Sequence, residues 1–165
     1  MPDFKDRLSK LANQHLQSQS AREQDAESVL KKMRQREVDS KKRFDEVRKE
    51  VLVPMVRDAE QEFKGSGAHF AFFSEEEATA LADQIRTFFQ VLYYPKGRTR
   101  MNVGINTPSL LFECIPAHGK VRVRQNTNIR PAPMVDVKEV PVEELGAETV
   151  QSVFAEFIQA VIEKG

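Results

Sequence analysis

The first apolar positions, Phe4, Leu8 and Leu11, recur at spacings of four and three, the repeat that puts side chains on one face of a helix. Leu16 extends the stripe imperfectly, and the polar residues 17–24 weaken it. A second stripe follows at Ala26, Leu30, Met33, Phe44, Val47 and Val51, with the three-four spacing of a coiled-coil seam. Glu37 and Ser40 occupy that seam between its two halves, so the pattern supports a helix more strongly than a long uninterrupted supercoil. No glycine occurs before Gly65, and Pro54 is the only proline after Pro2 in this stretch. Its ring and missing amide predict a break or a new helix start near that residue. Met55, Val56, Ala59 and Phe63 continue an apolar face, and Gly65, Ser66 and Gly67 then end the helix near Lys64.

Beyond Gly67 the texture changes to short runs of Phe, Val, Ile and Tyr separated by Gly and Pro, which is strand punctuation. Strands are expected at residues 69–73, 85–94, 100–105, 110–115, 120–125 and 134–140. The links are short enough for antiparallel neighbours, so a meander of four to six strands is the simplest topology. Ser74 with Glu77 fits a capping box, which predicts one or two helical turns over residues 75–83, with an extended hairpin arm as the alternative. The last element is the clearest. Val150, Val153, Phe154, Phe157, Ile158, Val161 and Ile162 form a wide apolar face, opposite Glu148, Gln151, Glu156, Gln159 and Glu163. This helix is expected to lie on the sheet.

The fold class is therefore α+β: a long N-terminal helical, coiled-coil-like region over residues 1–64, then an antiparallel meander with a packed C-terminal amphipathic helix over 65–165. With 165 residues, 40% hydrophobic and 30% charged, there is material for one modest core and a solvated remainder. A thinly apolar helix of some 50 residues needs a companion, and the same helix of a second copy or a helical partner protein supplies one. Leu30, Met33, Phe44, Val47 and Val51 are the expected oligomerisation residues.

Charge changes the picture through its distribution. The 25 basic and 25 acidic side chains cancel, which excludes a polyanion binder defined by bulk charge. Residues 96–130 nevertheless carry seven cations against one acid, Glu113, while residues 131–165 carry two against seven. In the stretch Lys120, Val121, Arg122, Val123, Arg124 the alternation sends the valines to one side and the cations to the other. Arg98 and Arg100 alternate in the same way with Met101, Val103 and Ile105. If both strands share a sheet face, Arg98, Arg100, Lys120, Arg122 and Arg124 form an anion-binding surface; the plainer reading is outward charge that keeps the sheet soluble or pairs with neighbouring acids. The basic helix residues from Lys31 to Lys49 are interspersed with Glu37, Asp39, Asp45 and Glu46, the pattern of a solvated face with intrahelical pairs.

Candidate chemistry is sparse. Cys114 and His118 are four residues apart, but Cys114 alternates with Leu110 and Phe112 as a buried small hydrophobe would, and no third orienting group is evident. No metal-ligand, phosphate-loop or dinucleotide motif occurs, so no cofactor is expected. The single Cys, and the lack of a long apolar run, argue for a cytoplasmic protein without a membrane partner. A non-catalytic, self-associating adaptor whose sheet presents a ligand surface is the leading functional expectation. A nucleic-acid-associated protein using the cationic sheet is the alternative, and an enzyme of unrecognised type is the third.

Overall fold

The computed structural model describes residues 3–74 and 87–164. The helical turns expected over 75–83 and the start of the strand expected at 85 lie outside those residues. The chain is α+β, with a long N-terminal helix, a five-stranded antiparallel sheet and a C-terminal helix.

Helix α1 spans Phe4–Val47 and runs unbroken through residues 17–24. Their Gln, Ala, Arg and Glu side chains are good helix formers, and neither Gly nor Pro interrupts them. A π-helical turn, Arg48–Leu52, joins α1 directly to α2, Val53–Glu62. The amide of Val53 donates to the carbonyl of Arg48, five residues back, and Pro54 falls in the first turn of α2, where its missing amide is tolerated. The break expected at Pro54 is thus a widened turn between two helices. Gly67, at φ 82°, reverses the chain into the sheet.

The strands are β1 His69–Ser74, β2 Phe88–Tyr94, β3 Ser109–Ile115, β4 Lys120–Asn126 and β5 Val135–Pro141, paired antiparallel in sequence order. Arg100–Val103 is a short helix, α3, where extended chain was expected. Met101 is 99% exposed and Ile105 48%, so the alternation there has no face to bury. Thr99 and Asn102 instead close a capping box, with the Thr99 amide donating to Asn102 Oδ1 at 2.7 Å.

By contacts the chain divides into Met1–Arg36 and Glu37–Gly165. In the second unit, register places Phe89, Val91, Leu110, Phe112, Cys114, Val121 and Val123 on one sheet face, and all are buried. The same core holds Phe44 and Val47 of α1, Leu52, Met55, Val56 and Ala59, and from the final helix, α4 (Ala147–Lys164), Val150, Val153, Phe154, Phe157 and Val161. Phe70 is an aromatic hub, with ring centroids 5.1 Å from Phe63, 5.2 Å from Tyr93 and 5.7 Å from Phe154.

Three of the five expected oligomerisation residues are therefore spent within the chain. Phe44 and Val47 are fully buried and Val51 packs against the same core, because the sheet offers a wide apolar surface and the helical residues from Ser40 onward lie on it.

Beside them Arg48, only 6% exposed, donates from Nε and Nη2 to Asp45 Oδ1 at 3.1 and 2.8 Å, while Lys49 Nζ lies 2.9 Å from Asp45 Oδ2. Burial pushes the Asp45 carboxyl up, but the hydrogen bonds and charges of Arg48 and Lys49 together hold it below the ordinary aspartate value. Asp45→Ala strands a buried guanidinium and is expected to cost about 2 kcal/mol in urea unfolding at pH 7. Because the folded carboxyl titrates low, its contribution is complete above the unfolded pKa and disappears as pH falls through the folded one, so the gap between variant and wild type should narrow on acidification below the usual aspartate range.

Candidate functional site

The first unit supplies the clearest unpartnered surface. At roughly 100° per residue, Phe4, Leu8, Leu11, Ala26, Val29, Leu30 and Met33 fall within a sector of about 100° on one helix face. All are exposed; Phe4 is at 71% and Met33 at 55%. The two stripes read from sequence thus belong to one face, interrupted at its middle by His15, Gln19 and Arg22. Helix continuity through residues 17–24 aligns them, which spacing within each stripe alone does not disclose. Leu16 and Val38 are exposed but lie well off this sector. Leu30 and Met33 are the two expected oligomerisation residues that remain available.

The five cations proposed for one sheet face are not brought together. Lys120, Arg122 and Arg124 do alternate with the buried Val121 and Val123 on β4. Acids meet them there: Lys120 Nζ lies 3.5 Å from Glu139 Oε1, Arg124 Nε lies 3.2 Å from Asp136 Oδ1, and Arg122 stands in register between Glu113 and Glu139. Arg98 and Arg100 belong to the β2–β3 connection. The Arg98 guanidinium donates to the Ile129 carbonyl at 2.9 Å, whereas that of Arg100 lies 5.9 Å from the centre of the Phe73 ring. Along α1, Lys41 with Glu37 and Arg43 with Glu46 form intrahelical pairs at 3.4 and 3.8 Å, exposed enough that each is worth little.

The edge strand β1 is closed by α2. Glu60 accepts a hydrogen bond from the Phe70 amide through Oε2 and contacts His69 Nδ1 through Oε1 at 3.0 Å. Desolvation raises its pKa, yet those two hydrogen bonds and the nearby Lys64 bring the net shift downward. A charged side chain on the strand's open amide also discourages edge-to-edge pairing.

Cys114 lies on the core face of β3, its Sγ 4.0 Å from the Ser40 carbonyl of α1, while His118 is exposed in the turn that follows. Burial pushes the thiol up to about 11, opposed only by Lys41. At pH 8 the native thiol is therefore expected to resist a disulfide exchange reagent for hours and to react promptly, one equivalent per chain, in denaturant. Rapid reaction of the native protein would contradict its place in the core. Among the described residues no group of three His, Cys, Asp or Glu side chains is arranged to hold a metal ion, and no helix is long and apolar enough to cross a membrane.

Comparison with protein families, with curated proteins and with solved structures finds no match to this chain. Function rests on its own geometry.

Proposed function

We propose that the protein is a non-catalytic, self-associating adaptor in which residues 4–36 pair with the same helix of another copy, while the sheet domain carries the ligand surface. The observation behind this reading is the exposed apolar face formed by Phe4, Leu8, Leu11, Val29, Leu30 and Met33. An isolated helix of this composition gains little from propensity and is stabilised chiefly by burying such a face. A second copy brings an identical face, so a two-fold pairing is self-complementary, with His15, Gln19 and Arg22 supplying a polar centre that favours one register. The nucleic-acid alternative draws less support, because acids of β3 and β5 flank the β4 cations. Light scattering at micromolar concentration tests the reading. The chain mass is 18.9 kDa, and the expected result is twice that or more; the single-chain mass would overturn it.

A further inference from the structure

A cavity of about 530 Å³ is lined by Arg98, Asn128, Ile129, Arg130, Pro131, Ala132 and Lys164. Its volume lies within the range of small-ligand sites, roughly 300 to 1,000 Å³. Three of its walls are cationic and none is acidic. That sets it apart from two other cavities, one beside Arg57 and Arg100, which includes Glu60, and one beside Phe73 and Phe88, which includes Glu113.

The cations converge from three distant parts of the chain: the turn after β2, the loop between β4 and β5, and the last turn of α4. Among the described residues none of the three pairs with a carboxylate, in contrast to Lys41, Arg48, Lys120 and Arg124. Their few hydrogen bonds fix the loop and leave charge uncompensated. Arg98 Nη1 donates to the Ile129 carbonyl at 2.9 Å, and Lys164 Nζ donates to Thr127 Oγ1 at 2.6 Å. Asn126 Oδ1 accepts from the Asn128 amide at 3.0 Å, and Pro131 and Pro133 restrict the chain beyond it. The amides of Ile129, Arg130 and Ala132 have no acceptor among the described residues, which leaves backbone donors on the same loop.

Three like charges lining one cavity favour an anion among them, and two guanidinium forks match the oxygens of a phosphate better than a single point charge does. We propose that this cavity binds a phosphate-bearing small ligand with two or more negative charges, of which a diphosphate is the simplest, the side chains of Ile129, Pro131 and Ala132 offering an apolar wall to any organic portion. The site shares no residue with the proposed self-association surface and does not depend on it.

The test is calorimetric titration of sodium pyrophosphate into the full chain at fixed ionic strength. The expected result is saturable binding of one equivalent per chain, weakened about tenfold by Arg130→Gln and lost in the triple variant Arg98→Gln, Arg130→Gln, Lys164→Gln. Arg130 makes no hydrogen bond to the protein among the described residues, so its replacement removes charge without loosening the loop, and an unchanged Tm confirms that. Lys120→Gln, a cation on the sheet, should leave the affinity as it was. Absence of saturable heat, equal weakening by Lys120→Gln, or an Arg130→Gln protein that binds like wild type overturns the proposal. Citrate binding as tightly as pyrophosphate overturns its assignment to phosphate.

Discussion

Phe44→Ala is expected to destabilise the sheet domain by about 3 to 5 kcal/mol, the range for deleting a fully buried aromatic ring without repacking around the void. Phe44 is 0% exposed and shares its core with Phe112, Val121 and Phe157 from three other elements. The urea midpoint should fall while the slope of the transition stays the same, since the surface exposed on unfolding barely changes. A residue that served mainly in a seam between copies would behave differently. Its loss would weaken association, and the stability change would grow on dilution. A cost below about 1 kcal/mol, or one that depends strongly on protein concentration, would contradict the placement of α1 on the sheet.

Leu30→Gln combined with Met33→Gln is expected to do the reverse. Both side chains are exposed, at 52% and 55%, so the folded chain loses little, and glutamine keeps the helix propensity. In a symmetric pair four apolar side chains disappear from the contact. At on the order of 1 kcal/mol for each half-exposed side chain, association weakens by about 4 kcal/mol, close to a thousandfold. Sedimentation of the double variant at micromolar concentration should show single chains, and the urea midpoint of the sheet domain should be unchanged. Together the two variants separate residues that sequence spacing places on one stripe.

That stripe shows how far a sequence carries the reading. Ala26, Leu30, Met33, Phe44 and Val47 obey one spacing, and spacing records that a face is apolar without saying what covers it. Met33 remains exposed while Phe44 meets a sheet formed by residues from Phe70 to Val140, contacts too distant along the chain to leave a local signature. Strands β3, β4 and β5 were legible to within one residue at each end, because alternation coincides with turn residues such as Pro116 and Gly119. The α4 face was equally plain, although Ile162 at its end remains 54% exposed. Residues 100–105 misled because Met101, Val103 and Ile105 alternate without a sheet to receive them. The Thr99 and Asn102 capping pair, with Gly97 and Gly104 at φ 86° and 60°, is the local signal for a turn and short helix instead. The cationic cavity left no motif at all. Arg98, Arg130 and Lys164 are at least 32 residues apart and meet only when the sheet end, its loop and the last helical turn are assembled.

The proposed pairing of N-terminal helices between two copies is read most directly by energy transfer. Ser28 is exposed two residues before Leu30 and on the other side of the helix, and the buried Cys114 stays out of labelling reactions, so Ser28→Cys accepts a single dye clear of the apolar face. Donor-labelled and acceptor-labelled proteins should show saturable energy transfer when mixed at micromolar concentration, reversed by excess unlabelled chain and absent when Leu30 and Met33 are glutamine. No transfer between the wild-type copies, or transfer that survives both substitutions, would contradict it.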